Sequence, residues 1–116
     1  MLLPEIEPFS CEVQTEGAVA RVVPSGELDL VTSPEVQRRL VELRTAGCER
    51  IVLDLGNVSF LDSTALHLLA RWSEGSRADA FDFAVVPGSP HHRRVFELTG
   101  LAAQLRYADA PAPRRS

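Results

Sequence analysis

The sequence predicts a single α/β domain: a mixed, mostly parallel sheet with helices packed on it and an N-terminal β-hairpin. Three observations carry that expectation. Ile51-Val52-Leu53-Asp54-Leu55 and Phe81 to Val86 are short, nearly continuous apolar runs, the pattern of central strands covered on both faces. Around them lie segments with helical spacing and their own start and stop signals, which imply right-handed strand–helix–strand crossovers. The 116 residues, 45% hydrophobic and 24% charged, suffice for one ordinary domain with a core and a polar surface.

At the N-terminus, Phe9, Cys11 and Val13 alternate with Ser10, Glu12 and Gln14, the period-two pattern of a half-buried strand. Thr15-Glu16-Gly17 turns the chain. Ala18 to Val23 then reads as a buried strand ending at Pro24-Ser25-Gly26, and the pair forms the hairpin. Thr32 stands three residues before Glu35, a capping-box spacing, and Pro34 suits a first helical turn. Val36, Leu40 and Leu43 follow at i, i+4, i+7 until Gly47 stops the helix. After the strand at 51–55, a loop at Gly56-Asn57 leads to a second helix from Ser63 to about Ser73. The strand at 81–86 ends in the turn Pro87-Gly88-Ser89-Pro90. A third helix covers Pro90 to Leu98, ends at Thr99-Gly100, and precedes a short last strand at Leu105 to Tyr107. The order is β-β-α-β-α-β-α-β over residues 9–107. An N-terminal extension at 1–8 and a flexible tail at 108–116, broken by Pro111 and Pro113, flank it.

Charge and composition exclude several functions. Net charge is −4, from 16 acidic residues against 12 Arg and no Lys, which argues against a nucleic-acid partner. Met1-Leu2-Leu3-Pro4 is too short for a signal h-region, and no stretch approaches the ~18 apolar residues of a membrane span. A cytoplasmic protein without a membrane partner is expected. Cys11 and Cys48 stand alone, without CxxC or His spacing, and read as a buried small hydrophobe and a loop thiol. His91-His92-Arg93-Arg94 reads as a solvated helix face, since adjacent histidines diverge and make a poor metal pair. No G-x-x-x-x-G-K-[ST] loop is present. No metal or cofactor is expected on this chain.

The second helix carries the functional signal. At about 100° per residue, Leu68, Trp72, Ala65, Leu69, Leu66 and Ala70 cover an arc of roughly 200°, twice what a helix on a sheet needs. One flank, Leu68/Trp72 or Leu66/Ala70, is left for a partner. The polar arc holds Ser63, Thr64, His67, Arg71, Glu74 and Gly75. Asp62 is placed to cap the helix, and Ser63 opens it on the exposed side, with His67 one turn along. A phosphate there would meet the positive helix end and leave the isolated domain folded. In an interface it would add about −1.5 to −2 charges beside Asp62. A penalty of about 2.7 kcal/mol already weakens binding a hundredfold. Without a G-x-S-x-G elbow or a separate acid–base chain, Asp62, Ser63 and His67 do not form a hydrolase triad, and the chain is not expected to be an enzyme.

Three segments together resemble the STAS family, named for sulfate transporters and anti-sigma factor antagonists. They are Ser25-Gly26-Glu27-Leu28-Asp29; Ile51 to Leu55 with Val58-Ser59-Phe60-Leu61-Asp62-Ser63; and Arg93-Arg94-Val95-Phe96-Glu97-Leu98-Thr99-Gly100-Leu101. The likeness covers residues 9–107, so the α/β domain is identified as STAS-like. It implies an anti-sigma factor antagonist, which binds an anti-sigma factor that is also an ATP-dependent serine kinase and so releases the sigma factor. It further implies that this kinase phosphorylates Ser63, ending the complex, and that a serine phosphatase reverses the step. Asp62 matches the motif Asp, and Asp29 matches the Asp of the other loop near the same surface. Asp29, Asp62, Ser63, Thr64, His67 and Arg71 are the expected partner-binding residues, with Thr64 the rival phosphoacceptor. ATP and magnesium would belong to the kinase. Many family members read Asp-Ser-Ser-Gly, whereas this chain reads Asp62-Ser63-Thr64-Ala65, whose Ala65 favours helix more than Gly does. The other role the fold admits is a scaffold subunit of a transport or stress-signalling complex, with Ser63 never phosphorylated.

Overall fold

In the computed structural model, which describes residues 8–110, the hairpin is formed by β1 (Ser10–Glu16) and β2 (Val19–Leu28). Gly17 turns between them with φ +60°, a conformation glycine adopts without cost. Helix α1 (Ser33–Thr45) returns the chain to β3 (Arg50–Asp54), and β4 (Asn57–Leu61) follows almost at once. Helix α2 (Ser63–Ala78), β5 (Asp82–Val86) and α3 (Pro90–Leu98) complete the regular elements, before a 3-10 turn at Leu101–Ala103. The sheet runs β1-β2-β3-β5, antiparallel only at the hairpin, with β4 also parallel to β2. The α/β class, the hairpin and the mostly parallel sheet match the expectation. Residues 1–7 and 111–116, most of the expected extension and tail, lie outside the described residues.

One row of the sheet aligns Ala20, Ile51 and Phe83, and the next Val22, Leu53 and Val85. All six are buried. α1 packs against β2 and α2 against β5, so Val36, Leu40, Ala65, Leu68 and Leu69 close one core with Phe96 and Leu101. Trp72 meets the ring edge of Phe81 at 6.1 Å and lies against Phe83 at 6.2 Å.

Four local readings are corrected. β2 does not end at Pro24-Ser25-Gly26 but continues to Leu28. Its first half pairs with β3 through Val22 and its second half with β4 from Ser25. Pro24 falls in the gap between these partners and pairs with Cys11 of β1 on its other side. The stretch after Gly56-Asn57 is not loop but β4, because the free half of β2 offers it an edge. α2 runs on to Ala78 rather than Ser73: Ser73 and Ser76 are small enough to be buried, and Ser76 Oγ donates to the Ser73 carbonyl at 2.7 Å. The last strand reduces to one bridge, Val85 with Tyr107, since the 3-10 turn uses up the preceding residues. Ala108 N–H still donates to the Val85 carbonyl at 2.9 Å.

α3 starts as the sequence predicts, with Ser89 Oγ accepting the His92 N–H at 3.2 Å and Pro90 in the first turn. His91 is exposed, but His92 is buried and its Nδ1 has no partner. The solvated-face reading therefore fails for His92. Burial, and to a lesser extent the charge of His91, pushes the His92 pKa below its ordinary value. The unfolded chain takes up this proton near pH about 6.5, before the folded one does, so stability falls as pH drops through that value and levels off below the folded pKa. Thermal unfolding between pH 8 and 5 should show this slope, and His92→Leu should flatten it.

Candidate functional site

The site forms where the C-terminal ends of β2 and β4 hand the chain to α1 and α2. Both helices are crossovers returning from parallel strands, so their N-termini, and the positive ends of their dipoles, come together here. Asp62 joins the two. Its Oδ1 accepts the Ala65 N–H at 3.0 Å as the cap of α2, and its Oδ2 accepts the Leu30 N–H at 3.0 Å from the turn before α1. Asp62 N–H in turn donates to the Leu28 carbonyl at 3.2 Å. The expected cap is present and also staples one loop to the other. Asp62→Ala should cost about 1 kcal/mol for the cap alone, with further loss from the stranded Leu30 amide. Denaturant unfolding reads the total, and faster hydrogen exchange at Leu30 would localise it.

Asp29 holds the neighbouring turn. Its Oδ1 accepts the N–H groups of Val31 at 2.9 Å and Thr32 at 3.1 Å, and its carbonyl accepts that of Ser33 at 2.8 Å. The Thr32 N–H bond, with those of the Val31 N–H and the Thr32 hydroxyl, holds the Asp29 carboxyl below the usual carboxylate range against an opposing desolvation. The capping box expected of Thr32 and Glu35 is not made. The Thr32 hydroxyl accepts the Asp29 N–H at 2.9 Å and donates to the Glu27 carbonyl at 2.7 Å, while Glu35 pairs with Arg38 at 2.8 Å. The turn from β2 into α1 is too tight for a Thr cap, and Asp29 supplies the acceptors instead.

Ser63 is the first residue of α2 and is exposed. Thr64 is half-buried and, with His67 and Arg71, lines a groove of about 470 Å³ between the α1 and α2 N-terminal turns. Asp29, Asp62, Ser63 and Thr64 thus come together where the two helices start, with His67 and Arg71 one and two turns further along α2. Neither apolar flank of α2 is left free: Leu68 is buried, and Leu66, Ala70 and Trp72 pack against the core, Trp72 also donating its indole N–H to Gln37 Oε1 at 2.6 Å. α1 and β4 cover what the sheet does not. The exposed apolar surface comes instead from Leu30, Val31 and Phe60, which are 71%, 83% and 52% exposed around the Asp29–Asp62 junction. Their signal was available. Leu30-Val31 is an apolar pair in a turn, where burial has no claim on it.

Comparison with known proteins fits this geometry. The STAS domain model matches residues 10–110. The chain belongs to the STAS domain family. An anti-sigma-B factor antagonist of Staphylococcus aureus is 33% identical to this STAS domain over 93 residues, 80% of this chain and 86% of the relative. That of Staphylococcus epidermidis is 32% identical over the same length. The crystal structure of an anti-sigma factor antagonist from Mycobacterium paratuberculosis superposes with a TM-score of 0.77 at 31% identity, over 92% of each chain. The phosphorylated form of the Bacillus cell fate determinant SpoIIAA shares the fold, with a TM-score of 0.65 at 22% identity over 88% of this chain and 92% of that one. Among the described residues, no helix of the STAS domain is long and apolar enough to cross a membrane.

Proposed function

We propose that this STAS domain is an anti-sigma factor antagonist whose unphosphorylated form binds an anti-sigma factor serine kinase and thereby frees the sigma factor. Phosphorylation of Ser63 ends the complex, and a serine phosphatase restores it. The chain acts by binding, not catalysis. The observation that carries the reading is the placement of Ser63: exposed, at the positive end of α2, beside the Asp62 carboxylate and within the apolar rim of Leu30, Val31 and Phe60. The rim supplies desolvated contact area to a partner. A phosphate at its centre would set two negative groups side by side in that interface, where like charges cost several kcal/mol. Thr64 is half-buried against the groove and so a poorer phosphoacceptor. The names of the staphylococcal and mycobacterial relatives support the antagonist role.

The test is phosphosite mapping after incubation with host lysate and ATP, beside a Ser63→Ala control. A single phosphate at Ser63, absent from the control, is expected. An unmodified protein in a lysate with demonstrated serine-kinase activity would instead favour the scaffold role.

A further inference from the structure

The groove at the Ser63 end does not stop there. A second hollow of about 460 Å³, lined by Gln37, Arg44, Arg71, Trp72, Asp79 and Phe81, shares Gln37 and Arg71 with the first. The two form one channel along the α1–α2 seam. The 13 residues of α1 make it about 20 Å long at a rise of ~1.5 Å per residue, the span of about six residues of extended chain.

Its charge is unbalanced. Arg21, Arg38, Arg39, Arg50 and Arg106 each have a carboxylate within ion-pair distance. Among the described residues, Arg44, Arg71, Arg77, Arg93 and Arg94 have none, and of these Arg44 and Arg71 line the channel. Arg44 is held in place by donating to the Cys48 carbonyl at 2.8 Å and by stacking 4.0 Å above the Phe81 ring. Arg71 projects into solvent where the two hollows meet. Among the described residues, Asp79, at the far end, is the only carboxylate lining either hollow. Between the arginines the wall carries Trp72 and Phe81 beside the polar Gln37 and Thr45. An arginine fork suits a carboxylate, and neither of these two has one to satisfy it.

We propose that this channel docks an acidic, extended segment of the protein partner, its carboxylates on Arg71 and Arg44 and an apolar side chain against the half-buried Trp72. The proposal rests on the partner-binding reading above in one respect, that the segment belongs to the protein engaged at Ser63. The two are joined physically, because Ser63 directly precedes Thr64 in the channel lining, and a phosphate there repels an acidic occupant too.

Trp72 is the only tryptophan of the chain, so its emission reports on the channel. The intact protein is titrated with an acetylated, amidated hexapeptide of alternating Glu and Leu, and in parallel with its Lys/Leu counterpart. A saturable emission change is expected with the acidic peptide alone. It should weaken at least about tenfold in Arg71→Glu, whose exposed side chain leaves folding intact, and in Arg44→Glu, and fade as salt is raised. Arg71→Gln covers the case in which a reversed charge disturbs the fold. No saturable change, an equal response to both peptides, or affinity unchanged by the Arg71 variants would overturn the proposal. Ser63 phosphorylation is read by mass, independently of Trp72, so failure of the channel and failure of the switch are distinguishable.

Discussion

Ser63→Asp is expected to weaken binding to the proposed anti-sigma factor kinase at least about tenfold, and full phosphorylation about a hundredfold or more, while the isolated domain loses no stability. The opposition of the two effects makes the result diagnostic. Ser63 is exposed in the first turn of α2, where a negative side chain is favourable by about 0.3–1 kcal/mol through the helix dipole. The melting temperature should therefore hold or rise slightly as affinity falls. In the complex the same charge lies beside Asp62, whose carboxylate is already committed to the Ala65 and Leu30 amides and cannot turn away. Ser63→Ala should keep its affinity and lose its response to ATP. Isothermal titration of the three forms, with thermal melts of each, measures both effects. A drop in melting temperature matching the loss of affinity would mean damage to the fold, and the interface argument would fall.

Gly88→Ala should be the most damaging single methyl in the domain, at about 3 kcal/mol or more, the upper end of overpacking costs. A Cβ at Gly88 would lie 2.1 Å from the Leu55 carbonyl oxygen and 2.7 Å from His92 Nδ1. Neither neighbour can yield. Leu55 is tied to β5 by its N–H bond to the Val86 carbonyl at 2.9 Å, and its carbonyl accepts the Val58 N–H at 3.0 Å, the bond that starts β4. His92 is buried beneath α3. For a domain of this size the loss corresponds to a fall of about 10 °C or more in melting temperature. Gly75→Ala, where a Cβ meets nothing within 4 Å, is the matched control and should gain slightly in helix propensity. An equal response of the two variants would show that the turn relaxes around Gly88. Because Leu55 leads into β4 and β4 into Asp62, the Gly88 variant should also loosen the Ser63 loop.

Much of this was legible in the residues. Ile51 to Leu55 and Phe81 to Val86 announce buried strands because a strand covered on both faces has no polar alternation to confuse it. Asp62 before Ser63 announces a helix start because capping is a local event. Thr32 misled for the complementary reason. Its spacing to Glu35 is right, but the tight exit from β2 hands its amide to Asp29. β4 was missed because a five-residue strand has little periodicity of its own. It exists only because half of β2 stands free beside it. The exposed flank expected on α2 was misplaced because a helical wheel counts apolar residues without knowing how much of the helix α1 and β4 cover.

By itself, then, the sequence determined the α/β class, the parallel sheet, the three helix starts and Ser63 as an exposed serine behind an aspartate cap. These follow from periodicity and capping, interactions between residues a few positions apart. The tertiary structure alone decided that Asp62 also holds the Leu30 amide, that Leu30, Val31 and Phe60 form the rim around Ser63, and that Arg71 and Arg44 share one channel. Each of those depends on loops and helices some 30 residues apart meeting at one end of the sheet, and sequence spacing carries no record of such meetings.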